Sequence, residues 1–338
     1  MIRESLAGRV LFVAVYCTLG LGQTPPPTIL EIDVENAVGY VGDIVSSGDP
    51  AKFATNPVVT PAVLARNFDA AVGIQDIVAV NGQPAKGTVA YRAWGLSLSP
   101  APNPGEAIAD TTRTAIRNMT FEILKSDGTP VGTIMILGVS GQVPPPGAPS
   151  VVTATNFAIV GGTGAFLGAR GQLGQARTPQ TVPFRLASMA EDPANRRVNG
   201  GGRVRYILHL FPMSVPQIVV TSAGPAVTHS SDFALVTAPK PAAAGEILSL
   251  FATGLGPTRP GVDPGKPFPS SPPAVVNSPV EVKVNGKPAE VLAAVGFPGA
   301  VDAYQVNFRV PPDTARGVAT IQVSAAWIAG SPVIITVQ

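Results

Sequence analysis

"GGTGAFLGARGQ", from Gly161 to Gln172, follows directly on the apolar run "NFAIV" and decides how the first half of the chain is read. A glycine-rich loop behind a strand cradles phosphate when it opens a helix. A dinucleotide fingerprint therefore needs Gly-x-Gly-x-x-Gly between strand and helix, with an acid about twenty residues later. Gly162 and Gly164 fit the first two places, but the third falls on Leu167. Glycines then recur at 168, 171 and 174, a spacing no helix favours. Glu191 and Asp192 stand at a fitting distance, with Pro179 and Pro183 between. A hairpin accounts for the same residues better. Phe157 and Ile159 alternate on the incoming strand, Gly161, Gly162, Thr163 and Gly164 make the turn, and Phe166 starts the return. The later glycines relieve crowding where a coiled strand bends around a small barrel.

The surrounding chain agrees with that reading. Charged residues make up 13% of the 338, and Lys+Arg exceed Asp+Glu by only 23 − 21 = 2, so no field calls for nucleic acid. Glycine and proline, 36 of each, punctuate short Val/Ile/Thr-rich runs, the mark of an all-β protein. "ILEIDVEN" opens them: Leu30, Ile32 and Val34 share one face, Glu31, Asp33 and Glu35 the other. "VNGQPAKG" and "KSDGTPVG" carry Asn81-Gly82 and Asp127-Gly128, both strong hairpin signals. Thr60–Phe68 is the longest helix candidate, and Pro100–Thr111 and Gln142–Ser150 read as long exposed loops. About eight antiparallel strands ending near Phe211 are enough to close a barrel.

At the N-terminus, Arg3 and Arg9 precede the apolar stretch Val10–Leu21, and Gly20-Leu21-Gly22 offers a cleavage site. This pattern predicts a signal peptide over residues 1–22, export to the periplasm, cell envelope or medium, and no membrane span after cleavage. The single cysteine, Cys17, lies within it, so the mature fold is expected to rely on burial and sheet hydrogen bonds. The barrel domain is assigned to residues 23–212, with Pro212–Pro216 as joint, and a second all-β domain to 217–338. There the strand runs suit an immunoglobulin-like sandwich. "VNGKPA" (Val284–Ala289) echoes "VNGQPA" in turn chemistry, without the flanking match of a repeat.

The glycine stretch resembles the signature hairpin of allene oxide cyclases and dirigent proteins. It shares Gly161–Gly164, Phe166 and Ala169–Gly171 with the latter, and Gly168, Gly171 and Gln172 with the former. The resemblance implies an eight-stranded calycin-like barrel and makes Arg170 a candidate cavity residue. Dirigent proteins often carry an acid after GGTG, where this chain has Ala165. In the second half, "GEILSLFATGLGP" (Gly245–Pro257), "VEVKVNGKPAEVL" (Val280–Leu292) and "YQVNFRVP" (Tyr304–Pro311) resemble a C-terminal domain family of exported acidobacterial proteins. That likeness implies an IPT/TIG-type, Ig-like module, used for surface attachment or a protein partner.

Few residues speak for chemistry. His209 alternates with Ile207 and Phe211 and would line the barrel if that face is inward. Tyr91 and Trp94 have opposite parity, so only one of them can; Tyr91 is the cavity candidate. His229, Ser230, Ser231 and Asp232 invite a triad, but neighbours on an extended segment splay apart, and loop polarity explains them. No metal and no cofactor is expected. The expected function is non-enzymatic: an exported binding or surface-interaction protein whose barrel holds a small apolar ligand, with homo-oligomers forming through the barrel. The alternative is a cyclase, isomerase or dirigent-like enzyme acting on a reactive lipid or phenolic intermediate.

Overall fold

The computed structural model describes residues 28–43, 68–97, 113–140, 152–188 and 191–338. The predicted signal peptide, both predicted proline-rich loops and all of the Thr60–Phe68 helix candidate except Phe68 fall outside them; Phe68 begins a strand. The protein is all-β, an antiparallel eight-stranded barrel followed by a sandwich.

The barrel is a meander of β1 (Thr28–Asp43), β2 (Phe68–Val80), β3 (Gln83–Ser97), β4 (Arg113–Lys125), β5 (Pro130–Ser140), β6 (Val152–Gly164) and β7 (Arg170–Ala176). After the short β8 (Arg185–Ser188) comes β9 (Gly202–Phe211), which pairs with β7 on one side and β1 on the other. β1 also pairs with β2, so the ring closes and the low charge exposes no long barrel edge. β9 leaves β1 at Ala37, and β8 takes over that edge in parallel from Val38 to Val41.

Alternation sorts the residues as the opening strand predicts. Leu30, Ile32 and Val34 are buried inside with Phe121, Phe157, Ile159, Leu173 and Leu208. Outside, Arg205 of β9 grips both oxygens of Asp33 at 2.7 and 2.8 Å and reaches Glu31 at 3.2 Å. The β2–β3 hairpin turns on Asn81 and Gly82, both at positive φ (49° and 74°). Asn285 and Gly286 do the same in the sandwich (50° and 78°). The echo between the two segments is a shared device: Asn81 Oδ1 accepts from Glu31 N at 2.8 Å, and Asn285 Oδ1 from Thr320 N at 2.9 Å. Each asparagine ties its turn to the neighbouring strand.

The sandwich runs from Gln217 to Val337. Ile247–Thr253 and Tyr304–Arg309 belong to one sheet; Val280–Val284, Gly317–Ala325 and Val333–Val337 belong to the other. Lys287–Gly296 serves both: its start pairs with Val280–Val284, and after Ala289 it pairs with Tyr304–Arg309. Leu248, Leu250, Val282, Val306, Phe308, Ile321 and Val323 fill the space between.

The two domains touch through their turns. A second tight hairpin, Ala325–Ile328, has Ala326 and Trp327 at φ 50° and 63°, and its residues 326–328 pack against the barrel core. Trp327 Nε1 donates to Gln83 Oε1 at 2.8 Å, and Gln83 Nε2 donates to Glu281. Non-glycine residues at positive φ are strained by about 1–3 kcal/mol each. Contact with the barrel offsets that strain, because the turn places Trp327 against its partner.

Candidate functional site

The glycine stretch lies at the sandwich end of the barrel, and its residues are placed differently from the sequence reading. β6 continues through Gly161, Gly162, Thr163 and Gly164, so these four are strand and not turn. The turn is Ala165–Gly168, and Phe166 lies inside it instead of beginning the return. Phe166 is fully buried, plugging the barrel. The extra strand length follows from β5, whose Gly132, Thr133 and Ile134 pair with Gly164, Thr163 and Gly162. A Cβ on Gly162 would come within 2.3 Å of the Phe166 carbonyl oxygen, and one on Gly164 (φ 62°) within 2.5 Å of Val131 O. Thr163 Oγ1 meets Thr133 Oγ1 at 2.6 Å. The glycines therefore admit close backbone, as expected, and do not cradle phosphate; β6 and β7 are antiparallel. The sandwich's own glycine turn closes the junction: a Cβ on Gly256 would lie 3.3 Å from that of Ala165.

Two of the three cavity candidates face outward. Arg170 is exposed and donates from Nη1 to Ala169 O at 2.9 Å. It pairs across the outer face with Phe211, as His209 does with Gln172 and Ile29. His209 does share a face with Ile207 and Phe211, but Tyr206, Leu208 and Leu210 take the inside. Parity separates the two faces of a strand and leaves open which one is the core.

Tyr91 is inside, and Trp94 is exposed on the outer wall. The Tyr91 ring lies across the backbone of Gly73, where a Cβ would sit 1.9 Å from Cε1, and its hydroxyl abuts Gly39. Phe184, from the segment before β8, stacks on it at 6.2 Å and 28°. The Arg117 guanidinium lies over the same ring at 5.4 Å, a cation–π contact. Burial raises the Tyr91 phenol above its usual range, with the Arg117 charge opposing. Deeper in, Gln75 is fully buried and trades hydrogen bonds with the Tyr206 hydroxyl at 3.0 and 3.1 Å. Phe121 meets the Tyr206 ring edge-on at 5.2 Å.

The barrel interior thus changes character along its axis. Near the sandwich it is filled by leucine, isoleucine and phenylalanine. At the opposite mouth it carries Tyr91, Arg117, Gln75 and Tyr206, and a cavity of about 510 Å³ opens there. Arg117, Arg177, Thr178, Thr181, Pro183 and Phe184 are among its walls. Sequence reasoning missed Arg117, Gln75 and Phe184. Parity on β2 and β4 could have placed Gln75 with Ile77, and Arg117 with Met119 and Phe121, but nothing local marks Phe184.

A strap holds this end from outside. Residues 185–188 and 191–200, including the short 3-10 turn Pro193–Arg196, lie beside β1 and β2. Asp76 accepts from Arg196, from Arg197 Nε at 2.8 Å and from Asn36 Nδ2 at 2.9 Å. Burial alone would raise its carboxyl; the hydrogen bonds from Arg197, Asn36 and Arg196 outweigh that and hold it below the usual carboxylate range. Arg185 binds Glu191 through two bonds at 2.9 and 2.7 Å.

His229 forms no triad with Ser230 or Asp232. It is buried in the sandwich, with Nδ1 2.5 Å from Glu246 Oε1 and Nε2 3.3 Å from Lys240 O. It is a framework residue within a strand, where the sequence suggested loop polarity. Asp232 pairs with Lys240, and Ser230 bonds Ser249 at 2.8 Å. Among the described residues, no cluster of three or more His, Cys, Asp or Glu is placed to hold a metal ion.

Comparison with known proteins adds little. No family model and no curated protein matches the chain. A solved polysaccharide lyase aligns over 91% of this chain at 10% identity and a TM-score of 0.18, too low to carry an argument. The chain spans 39% of that lyase's length.

Proposed function

We propose that the chain is an exported, non-enzymatic binding protein whose barrel mouth accepts a small molecule, while the sandwich serves as attachment or interaction module. The barrel is read as a relative of the allene oxide cyclase and dirigent barrels, and the sandwich as IPT/TIG-like. The mouth cavity of about 510 Å³ carries the reading: its volume suits a small ligand, and aromatic and polar groups meet there. The packed interior near the sandwich limits the ligand to this end. The outward placement of Arg170 and His209 weighs against a catalytic role for either. Incubating the purified protein with a lipid extract, re-isolating it and analysing bound compounds by mass spectrometry tests the proposal. Retention of a compound by the wild type and its loss on Phe184→Ala are expected. Equal retention by both proteins would place the ligand elsewhere, and no retention would leave the barrel a structural module.

A further inference from the structure

The arginines around the barrel differ in their partners: exposed Arg92, Arg170 and Arg177 show no carboxylate partner among the described residues, and five others do. Arg185, Arg196, Arg197, Arg203 and Arg205 each pair with a carboxylate, through Glu191, Asp76, Asp76, Glu35 and Asp33 respectively. Arg117 also has no carboxylate partner among the described residues, although it projects from the inner face of β4 and is partly buried. Its Nε is shielded from solvent and has no acceptor. A shielded charged donor left unmet is costly, and an acceptor arriving from outside would satisfy it.

The cavity walls agree. Two arginines, Arg117 within and Arg177 at the rim, border the mouth cavity, and among the described residues no acid lines it. Thr178 and Thr181 add hydroxyls, whereas Phe184 and Pro183 offer a flat apolar wall. Stacking on Tyr91 orients the guanidinium, and a planar fork matches a carboxylate by two parallel hydrogen bonds.

We infer that the barrel mouth binds the carboxylate of a small organic acid, with Arg117 holding the head and the apolar or aromatic body lying against Phe184 and Pro183. The inference rests on the binding reading above and adds the chemical class. Arg177, being exposed, contributes mainly long-range attraction.

Isothermal calorimetry on the two-domain protein tests it with matched probes: trans-cinnamate against cinnamamide, and hexanoate against hexanamide. Each carboxylate is expected to bind at least tenfold more tightly than its amide, with the margin shrinking as salt rises. Arg117→Gln should abolish the preference, and Arg117→Lys should retain part of it; Arg177→Gln should change affinity about two- to threefold. Melting curves establish that the variants fold, and the wild-type comparison decides the matter even if one does not. Equal binding of acid and amide would overturn the carboxylate assignment and leave the pocket standing. Failure of all four probes to bind would remove both. A preference that survives Arg117→Gln, or inorganic sulfate displacing cinnamate at equal concentration, would refute recognition of an organic acid by Arg117.

Discussion

Gly73→Ala tests the geometry on which the site depends. The added methyl would lie 1.9 Å from Cε1, 2.2 Å from Cζ and 2.6 Å from Cδ1 of Tyr91, so it meets the body of the ring and not a flexible tip. The ring has little freedom to yield: Phe184 stacks on it, Arg117 covers it, and its hydroxyl is against Gly39. Overpacking of this kind costs about 1–3 kcal/mol. For a domain of the barrel's size each kcal/mol lowers Tm by about 2–4 °C, so a drop of about 2–12 °C is expected. Tyr91→Ala alone should cost about 3 kcal/mol through lost burial. The double variant should be less destabilised than the sum by about 1–3 kcal/mol, because the new methyl occupies space the ring has vacated. Chemical denaturation of the wild type, both single variants and the double variant measures this coupling. Additivity within about 0.5 kcal/mol would refute the placement of Tyr91 over Gly73.

Other expectations follow from single contacts. Trp327→Ala removes the indole packing and the bond to Gln83, and should split the calorimetric unfolding into separate barrel and sandwich transitions; an unchanged thermogram would show that the hairpin does not couple them. Asp76→Asn should destabilise the barrel by up to about 3 kcal/mol at neutral pH by leaving Arg196 and Arg197 poorly matched. Because the folded Asp76 carboxyl is held below its unfolded value, its stabilisation is complete above about pH 4 and is lost as pH falls through the depressed folded value. The stability difference between wild type and Asp76→Asn should therefore shrink only in that acid range, as read from urea midpoints against pH. Tyr206→Phe leaves the buried Gln75 amide without its partner and should cost about 1–3 kcal/mol in denaturant titration, whereas Gln75→Leu with Tyr206→Phe should recover part of it.

The alternation in "ILEIDVEN", the Asn-Gly turns and the helix-averse glycines around Gly168 were enough to specify closely spaced antiparallel strands, because strand period and turn chemistry are local properties. Local pattern also paired His209 with Ile207 and Phe211, and separated Tyr91 from Trp94. It could not say which face of each strand was the core, since that depends on ring closure: β9 meets β1 with Leu30 opposite Leu208, and this register turns His209 outward. Closure likewise decided the site. Arg117 on β4 and Phe184 before β8 are 67 positions apart, 184 − 117 = 67, and meet only because the ring brings them to the same mouth. The sequence by itself determined strands, turns and fold class through short-range sterics and burial pattern. Only the tertiary structure decided what the barrel encloses, because the inside of a ring is defined by contacts distant in the chain.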